Sequence, residues 1–226
     1  MSPIPLGILA GSAAPPISYE FIGSFEDVNT VPGLVTGIDI GSPGLVVIAA
    51  HIEVPYTINV VINGNSANIA VPTSYFDNNN ATSGIAYYEI LDTSIIDVQL
   101  VLDPSARPRR SAFGVWKINN YTNPVPQFTY VHEPPSFTDS YSVTTDVLTK
   151  KSVVIAGVSD GIALSPTGTA TWTGINENYD TNTAEGGSEF SGASILSSSG
   201  AALTLGVTID PANPNEDGKL SVAVWS

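Results

Sequence analysis

The chain repeats itself. Gly44-Leu-Val-Val-Ile-Ala-Ala50 returns as Lys151-Ser-Val-Val-Ile-Ala-Gly157, and Val98-Gln-Leu-Val-Leu-Asp-Pro104 returns as Thr204-Leu-Gly-Val-Thr-Ile-Asp-Pro211. Val46 recurs as Val153 and Asp103 as Asp210, both 107 positions later. Each half then closes on an apolar run carrying a tryptophan, Ser111-Ala-Phe-Gly-Val-Trp-Lys-Ile118 and Leu220-Ser-Val-Ala-Val-Trp-Ser226, the two tryptophans standing 109 positions apart. A unit of this length is too long for a solenoid repeat and about half of a large sandwich, so the repetition points to a duplicated β architecture.

From Ile17 onward, alternating and β-branched runs recur with Gly, Pro, Asn or Asp between them. The first half offers strands at Ser18–Ser24, Leu45–Glu53, Thr57–Ile62, Ser66–Val71, Ile85–Leu91, Ile96–Leu102 and Ala112–Ile118. The second offers Phe137–Val143, Ser152–Val158, Ala170–Ile175, Phe190–Leu196, Ala202–Ile209 and Leu220–Trp225. Asn63-Gly64 between two alternating runs is a strong hairpin signal. No window supports a helix of three turns, and Gly186-Gly187 interrupts the polar stretch Glu177–Glu189.

Residues 1–17 contain Pro3, Pro5, Pro15 and Pro16 and follow neither period, which reads as an extended N-terminal arm. Its Ile4, Leu6, Ile8 and Leu9 would be poorly placed in water, so they are expected to pack on a neighbouring subunit or on the arm's own domain. The Pro-rich segment 119–136 joins half-repeats at about 18–118 and 137–226. Each half alone would carry exposed sheet edges. The expectation is therefore one jelly-roll-like, two-sheet β-sandwich over 18–226, each half giving alternate strands to both sheets, with two tandem small sandwiches as the alternative.

Composition narrows the function classes. The 226 residues are 42% hydrophobic with no cysteine, enough to bury a substantial core without disulfides and without thiol chemistry. The beginning Met1-Ser-Pro-Ile-Pro-Leu-Gly-Ile-Leu-Ala10 lacks the basic region of a secretory leader, and no apolar run approaches the roughly 20 residues that span a bilayer. The net charge is −14, and residues 1–106 hold ten carboxylates with no lysine or arginine. Such a surface repels phosphate backbones and anionic lipid, so no nucleic-acid or membrane partner is expected. Three of the seven cationic residues, Arg107, Arg109 and Arg110, stand together and offer guanidinium forks to carboxylates on another copy or another protein.

Several segments together resemble a widespread group of tailed-phage structural proteins. They are Leu6-Gly-Ile-Leu-Ala-Gly-Ser12, Tyr19-Glu-Phe-Ile-Gly-Ser24, Gly44-Leu-Val-Val-Ile-Ala-Ala50, Ser152-Val-Val-Ile-Ala-Gly157, Ala170-Thr-Trp-Thr-Gly-Ile175 and the final Leu-Ser-Val-Ala-Val-Trp225. Members of that group typically read GDLLVVAA, then an apolar strand ending the first half, then GSVVIAVA, a W-x-G-x-x-E or P-x-G-(Y/F) segment and a final alternating strand; here Ser42-Pro43-Gly44 replaces the usual acidic Gly-Asp turn. The resemblance implies a jelly-roll-like virion protein. It rests on packing motifs and carries no active site to any position.

The chemistry-bearing residues agree with that absence. Glu89-Ile-Leu-Asp92 echoes the paired carboxylates of glycoside hydrolases, but those need two carboxyls on one face, about 5–5.5 Å apart for retention. A spacing of i, i+3 in a strand puts them on opposite faces. His51 and His132 lie 81 positions apart with no Gly-x-Ser-x-Gly elbow, and structural roles are expected for both. Asp77–Asn80, Asn176–Asp180 and Asn215–Asp217 hold oxygen ligands without the spaced calcium loop and read as turns. Tyr75-Phe76, Tyr87-Tyr88 and Tyr179 are candidate sugar-stacking aromatics, whereas Trp116, Trp172 and Trp225 look like core anchors.

The expected function is therefore a non-enzymatic bacteriophage virion structural protein, a capsid decoration or cement protein or another outer-surface component, with no cofactor and no metal. Its expected partners are the major capsid or tail protein and copies of itself in a homo-oligomer, with Ile4, Leu6, Ile8, Leu9, Arg107, Arg109 and Arg110 as contacts. The alternative is a carbohydrate-binding adhesin or a tail- or fibre-associated host-recognition module.

Overall fold

The structure, a computed structural model, describes residues 14–27, 33–52, 58–73, 82–102, 111–133, 139–148, 150–161, 168–182, 188–198, 200–210 and 218–226. It is all-β, built of antiparallel sheets packed face on face. The first half contributes β1 (Ser18–Asp27), β2 (Gly33–Asp39), β3 (Gly44–Ile52), β4 (Ile58–Ile62), β5 (Asn65–Ser66), β6 (Asn68–Val71), β7 (Thr82–Ile90), β8 (Ile95–Leu102) and β9 (Ser111–Asn119). The second contributes β10 (Phe128–His132), β11 (Ser140–Thr144), β12 (Ser152–Gly161), β13 (Thr169–Thr173), β14 (Asn176–Asn182), β15 (Ser188–Ser197), β16 (Thr204–Asp210) and β17 (Lys219–Trp225).

The 107-residue repeat is a repeat of strand order. The first half forms a five-stranded sheet β1-β9-β3-β7-β6 and a smaller one, β2-β8-β4-β5. The second forms β10-β17-β12-β15-β14 and β11-β16-β13. The apolar motifs at 44–50 and 151–157 lie in β3 and β12, each the middle strand of its large sheet.

Three apolar layers follow from the two-residue alternation of a strand. In β3, Val46, Ile48, Ala50 and Ile52 face the small sheet of the same half, where they meet Val60, Ile62, Ile96, Val98 and Leu100. In β12, Val154, Ala156 and Val158 do the same with Leu205, Val207 and Ile209. The remaining faces meet each other: Leu45, Val47 and Ala49 of β3, with Trp116 and Ile118 of β9, pack on Val153 and Ile155 of β12 and Ala223 and Trp225 of β17. The order of layers is small sheet, large sheet, large sheet, small sheet.

This corrects the expectation of interleaved halves. Among the described residues no strand of one half pairs with a strand of the other. The physical reason is that β3, β9, β12 and β17 are apolar on both faces, the pattern of strands covered on two sides. One face is covered by the same half's small sheet and the other by the second half. The large sheets stack in reverse order, with β1 over β14, β3 over β12, β7 over β17 and β6 over β10. That arrangement is a pseudo-two-fold axis running along the strands between β3 and β12, so the halves meet as a self-complementary pair would.

Three strands had no expectation in the sequence. β2 holds two glycines, of which Gly37 has φ +74°, and its pairing with β8 shifts register between Val35 and Ile38. β10 lies inside the Pro-rich joining segment and pairs with β17. β14 spans the Asn176–Asp180 run expected as a turn; its pairing with β15 fixes it as a strand with a register shift between Glu177 and Tyr179. The Asn63-Gly64 hairpin is as expected, with φ of 50° and 78° joining β4 to β5.

Candidate functional site

Two places concentrate polar chemistry, one sealed and one open. The sealed one is the seam between the large sheets. His51 is fully buried there, stacked on Phe190 at 5.6 Å between ring centroids, with Nε2 2.5 Å from the Tyr179 hydroxyl. Burial pushes the His51 imidazole down to about 3, so it is neutral throughout the neutral range. Tyr179 is itself wedged between the halves, stacked on Phe21 and tilted against Trp116. It is therefore a seam residue, which corrects its reading as a sugar-stacking face.

Small residues make room for these rings. A Cβ on Gly114 of β9 would stand 2.3 Å from Tyr179 Cε1, and one on Gly192 of β15 would stand at the same distance. A Cβ on Gly157, the counterpart of Ala50 in the repeat, would stand 2.9 Å from His51 Cε1. At the other side of the seam, the Ser83 hydroxyl donates to the Lys219 carbonyl at 2.8 Å and the Ser221 hydroxyl donates to the Ser83 carbonyl at 3.0 Å. Trp116 Nε1 donates to Asn178 Oδ1 and Ser194 Oγ, and Trp225 Nε1 to the Pro124 carbonyl. These groups hold the two halves in register.

At the strand ends beside the seam lies Glu189, fully buried, opposite Asp160 on β12 and Asn182 on β14. Burial first, then the neighbouring carboxylates of Asp180 and Glu177, push its carboxyl up to about 10. Asp180 accepts the Ala170 amide at 3.0 Å. Glu189 is thus a protonated carboxyl at neutral pH. Among the described residues no three His, Asp or Glu side chains are placed to hold one metal ion.

The open place is a groove at the opposite end of the first half. β7 stops at Ile90 because Leu91–Ser94 turn: the Ile95 amide donates to Thr93 Oγ1 at 3.1 Å and the Ile40 amide to the Ser94 carbonyl at 2.7 Å. The strand alternation therefore does not extend to Asp92. Glu89 and Asp92, expected on opposite faces, line the same depression of about 450 Å3 with Tyr88 and Asn63. A neighbouring depression of about 280 Å3, lined by Asn119, Asn120 and Tyr121, shares Ile90 and Leu91 with it. Leu91 is 76% exposed.

The groove wall is ordered by its own hydrogen bonds. Asn63 Oδ1 accepts the Asp97 amide at 2.7 Å, and Asn120, at φ +57°, donates from Nδ2 to the Pro16 carbonyl at 3.1 Å. The Tyr121 hydroxyl donates to Glu89 Oε1. Burial, that bond and the Glu89 charge push the Tyr121 hydroxyl up to about 12, so it remains a donor. Tyr87 and Tyr88 point to opposite faces, as alternation demands: Tyr87 enters the seam, and half-buried Tyr88 packs on the first half's core while also lining the groove.

The other expected site residues divide plainly. Ile4, Leu6, Ile8, Leu9, Arg107, Arg109 and Arg110 lie outside the described residues, as do Tyr75, Phe76, Asp77–Asn80 and Asn215–Asp217. His132 accepts the Ser142 amide on Nδ1 at 2.9 Å and stands edge-on to Tyr141, a structural role. Trp116 and Trp225 are fully buried in the seam, and half-buried Trp172 packs on the second half's core and donates to Ser191 Oγ at 2.8 Å. No protein-family model matches the chain, and no curated protein matches it.

Proposed function

We propose that this chain is a non-enzymatic structural protein of a tailed-phage particle, carried on the outer surface as a decoration or cement component. The observation that supports the reading is the duplicated strand order. Within each half the large sheet places the first strand beside the last, then β3 or β12, then β7 or β15, while the small sheet orders β2-β8-β4 or β11-β16-β13. We read this as a jelly roll in each half, an architecture common in capsid proteins and lectins. Two such units fused through an enclosed, largely apolar seam make a rigid block rather than a cleft.

The polar groups of the seam are spent on holding that block together. His51 is neutral and enclosed, and the Ser83–Ser221 pair links the halves through backbone carbonyls. Surfaces then carry the function, and the segment bearing Arg107, Arg109 and Arg110 joins β8 to β9 in the sequence. On a lattice of acidic copies, three clustered arginines supply the complementary charge.

The test is composition of the particle. Virions from a culture infected with the phage that encodes this chain, purified by density gradient, are digested and quantified by mass spectrometry. The reading expects the chain to co-sediment with infectious particles in a fixed ratio to the major shell protein. Recovery only in the soluble lysate contradicts it.

A further inference from the structure

We propose that the groove beside the end of β7 binds a neutral saccharide. This does not depend on where in a particle the chain sits, because it rests on the lining of the groove alone. Together the two depressions fall in the size range of small-ligand sites, roughly 300–1,000 Å3. Their lining combines what a sugar requires. Tyr88 and Tyr121 offer ring surface to the C–H face of a pyranose, and exposed Leu91 between them extends it. Glu89 and Asp92 offer carboxylate oxygens that accept from sugar hydroxyls, and Asn119 offers an amide that both donates and accepts.

The charge of the lining selects among sugars. The groove residues include two carboxylates and no lysine, arginine or histidine. A sialylated, sulfated or phosphorylated glycan would meet repulsion, whereas an uncharged one gains charge-assisted hydrogen bonds. The Tyr121–Glu89 bond holds one wall of the groove in place before a ligand arrives, which lowers the ordering cost of binding. Among the described residues, the corresponding end of the second half has no such set: where β7 leads into Leu91 and Asp92, β15 leads through Ser197 into Ser198. One ligand per chain is expected in spite of the internal repeat.

The test uses the full chain labelled with 15N and titrated with neutral gluco-, galacto-, manno- and N-acetylgluco-oligosaccharides, a sialylated and a sulfated oligosaccharide, and cationic chitosan oligomers. The proposal expects at least one neutral sugar to shift the amide signals of Leu91, Asn119 and Asn120 at a stoichiometry of one. Tyr88→Ala, which removes a stacking ring, and Glu89→Gln, which removes one charge-assisted contact, should each weaken that affinity by on the order of tenfold. Thr171→Ala, on the far outer sheet, should leave it unchanged. No shift with any neutral sugar, shifts from the chitosan or the acidic glycans alone, or an affinity indifferent to both groove variants overturns the proposal. Folding of each variant is checked by the dispersion of the same spectra.

Discussion

Replacing Gly114 by alanine tests how closely the two halves approach. The added Cβ would stand 2.3 Å from Tyr179 Cε1 and 2.6 Å from Trp116 Cη2, well inside contact distance. Both rings are enclosed, Trp116 fully and Tyr179 at 7% exposure, and Gly192, the cross-strand partner of Tyr179 in the second half, presses on the same ring. The rings cannot simply swing away, so the methyl overpacks the seam at a cost of about 1–3 kcal/mol. For a chain of this size that lowers Tm by roughly 2–12 °C, read by calorimetry or urea denaturation. Tyr179→Ala alone should cost about 3–5 kcal/mol, by analogy with other large aromatics. In that background Gly114→Ala should cost less, because the Tyr179 clash is gone and the Trp116 ring, which packs on Tyr179, can shift into the vacated space away from the methyl, giving a favourable coupling of about 0.5–3 kcal/mol. Gly114→Ala at wild-type stability, or strict additivity with Tyr179→Ala, would refute the close approach of the halves.

Three further outcomes follow from single groups. Glu189 keeps its proton up to about pH 10 when folded and loses it near 4.5 when unfolded, so its contribution is complete below 4.5 and is lost as pH rises through 10. Glu189→Gln should therefore become progressively more stable than wild type between pH 5 and 9, the gap growing by at most about 1.4 kcal/mol per pH unit in urea titrations. His51 acts in the other sense: unfolded it gains a proton near 6.5, folded only near 3, so stability is lost as pH falls through that window and His51→Gln should flatten the acid side of the curve. Gly64 sits at φ +78° with nothing within 4 Å, so Gly64→Ala should cost about 1 kcal/mol from backbone strain alone, without disturbing the seam by near-ultraviolet circular dichroism.

Alternation and turn chemistry made most strands legible in the sequence. They placed β3, β9, β12 and β17, and Asn63-Gly64 placed a hairpin. How the halves meet was not legible, because an uninterrupted apolar run such as Leu45–Ala50 says that both faces are covered and not by what. The mid-strand glycines Gly114, Gly157 and Gly192 were the available signal for a close approach of a second sheet. β14 was hidden by its composition: Asn176-Glu-Asn-Tyr-Asp180 has the residues of a turn, and only pairing with β15 overrides that preference. The groove was hidden by a boundary, since the spacing of Glu89 and Asp92 divides them between faces only if the strand continues, and it stops at Ile90.

Cryo-electron microscopy of purified particles decides whether the chain is an outer-surface component. Density for this four-layered block is expected on the outer surface, in symmetry-related copies bound to the shell or tail. Particles whose fully assigned surface density has no place for the block, although the chain is expressed during infection, would contradict that placement.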